Sequence, residues 1–378
     1  MKADKVGLSQ TKYTRFANVI LESGVTLDVT VAYKTYGILD SERSNAVLVC
    51  HALSGDAHAA GVNAAGKTGW WDNAVGPGKA FDTDKYFVIC SNVLGGCQGT
   101  TGPSSISPAG RPFGLDFPSI TIGDMVTVQR QLIDHLNIDR LLSVAGGSMG
   151  GMQALKWATL FPERLKSVIA IATTTRHSPQ QIAFNEVGRA AIMSDPLWNG
   201  GNYYGGKSPE RGLAMARMVG HITYMSETSM EEKFGRRFRE GRAAPNFGAD
   251  FEVSNYLHYK GDDFIKRFDP NSYLYITKAL DLFDLAEGGN LAAVLKRAAQ
   301  VPFLVLSFKS DWLYPAHQSR ELVRGCKLAG IDVSYCEINS TYGHDAFLLE
   351  VEEEGHLVRH FLKKVANGLT TQAVSRAG

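Results

Sequence analysis

Three residues of this chain have types and settings suited to nucleophilic chemistry: Ser148, Asp311 and His344. Ser148 sits in Gly146-Gly147-Ser148-Met149-Gly150-Gly151. The apolar run Leu141-Leu142-Ser143-Val144-Ala145 precedes it, and helical spacing in Met152, Leu155, Trp157, Ala158 and Phe161 follows. A serine on a tight strand-to-helix turn needs neighbours without side chains, and the glycines supply them. The helix that starts there aims backbone N–H groups at the serine oxygen, where they stabilise developing negative charge. A glycine-rich turn with a solvated serine satisfies the same local pattern, so the rest of the chain decides.

A nucleophilic serine needs a base, and the base needs an orienting carboxylate. In a parallel sheet bearing such a turn, the order along the chain is Ser, then Asp or Glu, then His, each on a loop after a strand. The strand-like run Pro302-Phe303-Leu304-Val305-Leu306-Ser307-Phe308 leads to Lys309-Ser310-Asp311. The run Val333-Ser334-Tyr335-Cys336-Glu337-Ile338 leads to Asn339-Ser340-Thr341-Tyr342-Gly343-His344-Asp345. Order and context therefore predict a Ser148–His344–Asp311 triad. Other histidines compete poorly. His135 and His360 lie in helical segments, and His317 opens one. His51 precedes the serine and is expected to shape the loop carrying an oxyanion donor. The two donors expected are the backbone N–H of Met149 and one near Leu53.

The elements that must position these groups follow from periodicity. Residues up to about 45 read as antiparallel strands, with β-branched alternation in 16–20 and 25–33. Continuous apolar runs at 46–50, 86–90, 141–145 and 167–172 read as strands buried on both faces. Helical spacing fills 122–136 between them. Strand and helix patterns alternate to about residue 172, the signature of a mostly parallel α/β sheet with helices on both faces. The glycine-rich loop 92–105 is expected to line a site. From 177 to 297 there is helical spacing and no buried-strand run. This segment reads as a helical lid inserted in a core built from 1–176 and 298–378. A closing helix is expected over about 346–365, and a frayed tail after Gly368.

Composition excludes several classes. The chain has 378 residues, 44% hydrophobic and 20% charged, with net charge +1. Without a basic block, nucleic acid is not an expected partner. No apolar stretch approaches the roughly 18 residues of a membrane span, and Met1-Lys2-Ala3-Asp4-Lys5 leads into no signal-like apolar run. The five cysteines are scattered without a Cys-x-x-Cys spacing, so neither a disulfide framework nor a metal site is expected. Cys97 alone lies in the glycine-rich loop. A cytoplasmic protein with reduced thiols fits this pattern.

Longer blocks carry a resemblance. His51-Ala52-Leu53-Ser54-Gly55-Asp56, the stretch from Asn92 to Ser105, Gly146 to Gln153, Ala216-Arg217-Met218-Val219-Gly220-His221-Ile222-Thr223-Tyr224 and Tyr342-Gly343-His344-Asp345-Ala346-Phe347 resemble the homoserine O-acetyltransferases of the α/β-hydrolase superfamily. The resemblance spans nearly the whole chain. It implies transfer of an acetyl group from acetyl-CoA to L-homoserine by a cytoplasmic homodimer in methionine synthesis, with no cofactor beyond the co-substrate. It places the triad on Ser148, Asp311 and His344, and substrate binding on Arg217 and Asp345. From their surroundings alone, Arg217 reads as a helix-surface arginine and Asp345 as the N-cap before Ala346. Against a substrate with a carboxylate and an ammonium, Arg217 suits the first and Asp345 the second.

Relatives that use succinyl-CoA tend to carry an arginine two residues after the triad aspartate. Here that residue is Leu313, which offers no counter-ion and so favours acetyl. A homoserine O-succinyltransferase, a serine O-acetyltransferase and an esterase-type hydrolase remain as alternatives.

Overall fold

The structure, a computed structural model, describes residues 10–239 and 248–368. The opening Met1–Lys5 and the tail expected to fray after Gly368 lie outside the described residues.

Two alternating strands open the described chain: β1 (Lys12–Ile20) and β2 (Thr26–Tyr36) pair antiparallel, with a bulge between Phe16 and Val19. The apolar run at 46–50 is β3 (Ala46–Cys50), buried at every position. A two-stranded ribbon, β4 (Val75–Gly76) and β5 (Phe81–Asp82), follows. Then come β6 (Phe87–Ser91) and helix α1 (Ile122–His135). A capping box holds the start of α1, with Thr121 accepting from the Asp124 N–H and Asp124 accepting from the Thr121 N–H.

The serine turn joins β7 (Ser143–Gly147) to α2 (Met149–Leu160), and β8 is Val168–Ile171. Helices alone, apart from short 3-10 turns and isolated bridges, fill the described chain from there to β9 (Phe303–Phe308). They are α3 (Pro179–Met193), α4 (Glu210–Tyr224), α5 (Glu227–Lys233), α6 (Glu252–Phe264), α7 (Pro270–Asp281) and α8 (Leu291–Leu295). The chain closes with α9 (Ala316–Leu328), β10 (Val333–Ile338), α10 (Ala346–Leu349) and α11 (Val351–Ala366). The single helix expected over 346–365 is in fact two. Glu350, at φ −83° and ψ 71°, leaves the helical region and separates them.

The main sheet has the order β1-β2-β6-β3-β7-β8-β9-β10. From β6 to β10 every pairing is parallel, while β1 and β2 are antiparallel additions at one edge. Alternate residues of the central strands face two separate apolar clusters. Leu48, Val144 and Val305 pack with Met125, Leu132, Leu155, Trp157 and Leu322 of α1, α2 and α9. Val47, Val49, Ala145 and Leu306 pack on the opposite face with Trp71, Phe81, Phe347, Val358 and Phe361. Burial on both faces is why these strands read as unbroken apolar runs. β10 pairs only with β9, and most of its residues are half-buried or exposed.

Candidate active site

The serine turn is held by backbone against backbone. A Cβ on Gly150 would lie 2.1 Å from the Cys50 carbonyl oxygen, and one on Gly146 would lie 2.5 Å from the Gly150 carbonyl carbon. Only glycine permits α2 to start this close to the end of β3. Ser148 itself adopts φ 57° and ψ −123°, a conformation that side-chain-bearing residues rarely enter. It is fixed there by its N–H donating to Ile171 O (3.0 Å) and by Thr173 Oγ1 donating to its carbonyl (2.8 Å). The serine side chain thus projects from the carboxyl end of the sheet, at the N-terminus of α2.

The loop after β3 meets the first turn of α2 through Gln153. Its amide donates to His51 O (3.1 Å) and to Met149 O (3.2 Å), and accepts from Gln129 (2.6 Å). Gln129 in turn accepts from the indole of Trp157 (2.8 Å). The segments bearing Leu53 and Met149 are therefore tied together by buried amides. Sequence reasoning gave Gln153 no role. A fully buried glutamine on an otherwise apolar helix face was the available signal. His51 does shape this region. Its Nε2 accepts from the Val93 N–H (3.1 Å) of the glycine-rich loop, and its Nδ1 lies 2.8 Å from Ala52 O.

Asp311 and His344 come together on adjacent loops after β9 and β10. His344 Nδ1 lies 2.7 Å from Asp311 Oδ2, with both side chains almost fully buried. The other carboxylate oxygen of Asp311 accepts from the N–H groups of Leu313 (3.0 Å) and Tyr314 (2.8 Å). The aspartate is saturated with donors, and one of them fixes the imidazole. Gly343, at φ 75°, brings this loop against the α4–α5 corner, where a Cβ would lie 2.5 Å from Ser226 N. Tyr314 stacks on the His344 ring, centroids 4.8 Å apart and planes 30° apart. Among the described residues, Ser148 Oγ makes no hydrogen bond to His344; Tyr314 and Tyr224 both lie by the His344 ring and line the cavity beside Ser148.

A narrow cavity of about 50 Å³ opens beside Ser148, lined among others by Leu53, Gln181, Val219, Leu313 and Tyr314. Helices α3, α4 and α7 supply much of this wall, so the helical segment covers the serine. Leu313 presents an apolar side chain there. Arg217 and Asp345 are not part of that lining. They lie across Tyr224, which is. The Arg217 guanidinium stacks over Phe264 (4.6 Å) and Tyr224 (5.6 Å), and its Nη1 donates to Ser54 Oγ (3.2 Å) on the Leu53 loop. It is a half-buried cation gripped by aromatic faces rather than a solvated surface arginine. Asp345 occupies the N-cap of α10 but makes no capping bond. Burial pushes its carboxyl above the usual range, against the pull of His344, Arg217 and Lys260.

Cys97 is not a poised nucleophile. Burial pushes its thiol up to about 12, and its sulfur packs against Arg267 O and the Asp269 N–H. All five cysteines are free, and the described residues hold no cluster of metal-ligating side chains. No helix among the described residues is long and apolar enough to cross a membrane.

Residues 45–351 match the family defined by the alpha/beta hydrolase fold. Across 367 residues, 96% of this chain and 75% of the other, the sequence is 56% identical to the homoserine O-acetyltransferase of Methanohalobium evestigatum. This chain belongs to the homoserine O-acetyltransferase family. The corresponding enzyme of Deferribacter desulfuricans is 53% identical over 378 residues, covering 98% of this chain and all of that one. Among solved structures, the homoserine O-acetyltransferase of Bacillus anthracis superposes with a TM-score of 0.87 at 32% identity, over 97% of this chain and 99% of that one. An acetylester hydrolase from Corynebacterium glutamicum superposes with a TM-score of 0.78 at 25% identity, over 95% and 96%. The fold of this family thus also occurs in an enzyme whose acceptor is water.

Proposed function

We propose that this chain transfers the acetyl group of acetyl-CoA to the hydroxyl of L-homoserine through an acetyl-serine intermediate, as a step of methionine synthesis. One observation carries the choice of reaction: more than half of the residues are identical to homoserine O-acetyltransferases over nearly the full length of the chain. The buried Asp311–His344 pair beside the Ser148 turn supports the covalent route.

Asp311 accepts a hydrogen bond from the Nδ1–H of His344, which leaves Nε2 to act as base. His344 accepts the Ser148 proton as Oγ attacks the thioester carbonyl. The N–H groups of Met149 and Leu53 hold the oxyanion. The carbon–sulfur bond breaks and CoA leaves as the thiol, carrying the proton from His344. The homoserine hydroxyl then gives its proton to His344 and attacks the acetyl-enzyme, and Ser148 leaves with that proton restored.

Arg217 pairs with the homoserine carboxylate and Asp345, next to His344 in the chain, with its ammonium, which aims the hydroxyl at the acyl group. Leu313 faces the acyl group and offers a longer acidic acyl chain no counter-ion. The helices from α3 to α7 form a lid that keeps water from the acetyl-enzyme. The protein acts as a cytoplasmic homodimer and needs no cofactor.

Thiol release from acetyl-CoA or succinyl-CoA, with and without homoserine or serine, tests this reading. Release that requires homoserine and acetyl-CoA is expected. Release without any acceptor would make the protein a hydrolase, and preference for serine or succinyl-CoA would change the acceptor or the donor.

A further inference from the structure

A second chain of polar side chains runs from Asp281 through His177 to Tyr314, beside the serine cavity. Tyr314 OH lies 2.8 Å from His177 Nε2. His177 Nδ1 lies 3.5 Å from Asp281 Oδ1. The other oxygen of Asp281 is 2.7 Å from the guanidinium of Arg189, and Asn185 donates to Oδ1 (2.7 Å). All of these groups are shielded. His177, Asp281 and Arg189 side chains are 2%, 6% and 10% exposed. These residues come from three lid elements, the His177 loop, α3 and α7, and meet Tyr314 of the core.

The arrangement has a direction. Burial opposes the charge on Asp281, yet His177, Asn185 and Arg189 together hold its carboxyl below the usual range. At 3.5 Å from Asp281 Oδ1, His177 Nδ1 makes no hydrogen bond, but the ionised carboxylate favours the hydrogen on Nδ1, which makes Nε2 an acceptor. The Tyr314 phenol therefore donates to His177. Burial raises that phenol well above its ordinary value, so it keeps its proton. Ser148 lines the same narrow cavity as Tyr314. Meanwhile the Tyr314 ring lies flat on His344. One side chain thus lies on the base and lines the cavity beside the nucleophile, and its hydroxyl is held by a histidine 137 residues away in sequence.

We propose that Tyr314 is a positioning residue for acyl transfer, its ring aligning His344 beside the Ser148 cavity, and that the bond from its hydroxyl to His177, which sits beside Asp281, locks it in place. This rests on the acyl-enzyme reading given above. It also ties chemistry to lid closure, because the lock is supplied by the helical segment that covers the cavity. A lid displaced from the core would release Tyr314 and loosen His344.

The test is a cycle of Tyr314→Phe, His177→Leu and the double variant, read by pre-steady-state thiol release from acetyl-CoA and by steady-state kcat and KM. Each single variant should slow the acylation burst about tenfold, equivalent to about 1.4 kcal/mol, with KM for homoserine changed less than about twofold. The double variant should be no slower than the worse single, since both remove one lock. His177→Gln, whose amide oxygen can accept from the phenol, should recover acylation to within about threefold of the parent. An unchanged burst in His177→Leu would overturn the proposal, as would losses that multiply in the double variant. If His177→Leu fails to fold, Tyr314→Phe, which removes a single oxygen, decides alone: an unchanged burst overturns the proposal. Absence of any burst in the parent protein would instead remove the acyl-enzyme reading itself.

Discussion

Nδ1 of His344 lies 2.7 Å from Oδ2 of Asp311, on side chains buried beneath two loops that leave neighbouring parallel strands. The bond fixes which nitrogen of the ring faces away from the aspartate. Asp311→Asn keeps the shape and an acceptor for the loop N–H groups, but it can turn an N–H toward the ring and select the wrong tautomer. We expect kcat to fall by about 10³–10⁴, with an unchanged circular dichroism spectrum. Activity within about tenfold of the parent would remove the orienting role from Asp311.

Gly150 is constrained by space rather than by φ. A methyl group there would meet the Cys50 carbonyl oxygen at 2.1 Å, in a strand end with no room to retreat. Gly150→Ala is expected to cost about 3 kcal/mol or more, or to prevent folding. Gly206→Ala is the matched control, since its Cβ would approach nothing closer than 3.5 Å and its φ is not positive. It should stay within about 0.5 kcal/mol of the parent. Urea denaturation of both variants checks the contrast, and equal stabilities would refute the steric account.

Gln153 joins the loop after β3 to the start of α2. Gln153→Leu deletes the donor to His51 O and strands the amide of Gln129 in an apolar interior. A loss of about 2–4 kcal/mol is expected from the unsatisfied groups. The kinetic signature should be a tenfold or larger fall in kcat, because the Leu53 N–H loses its register with Met149. Loss of stability with full turnover would show that the bridge supports the fold without aligning the oxyanion donors.

Asp345 carries a raised carboxyl in the folded state, with burial as the leading cause. The sign of the linkage follows. A carboxyl raised above its unfolded value binds more protons in the folded state across that window. Its contribution to stability is present below the unfolded value and is lost as pH rises through the folded one. Asp345→Asn should therefore be more stable than the parent at pH 7. Binding of an ammonium requires the ionised form, so KM for homoserine should climb as pH drops toward a value above that of an ordinary aspartate. In Asp345→Asn the KM should be high and flat with pH, measured between pH 5 and 8. An unchanged KM would take Asp345 out of substrate binding.

Much of this protein was legible in local pattern. β3 coincides with the apolar run at 46–50 because a strand buried on both faces has no polar position to interrupt it. The glycines around Ser148 announced the turn because only backbone fits where α2 meets β3. Asp311 and His344 could be singled out because each follows a strand pattern in the one order the sheet allows. What local pattern could not decide is which distant side chains meet. Gln153 bonds to His51 across 102 residues, and Tyr314 to His177 across 137. Gln153 stands out only as a polar residue on an apolar helix face, and nothing near any of these residues names its partner, since a buried amide or phenol has no visible acceptor until the fold supplies one. The break at Glu350 was hidden likewise, because helical spacing continues across it. Sequence periodicity fixed the strands, the turn and the chemical types at their ends. Long-range packing of the helical segment on the core decided how the serine is enclosed, which tyrosine lies on His344, and which histidine meets that tyrosine's hydroxyl.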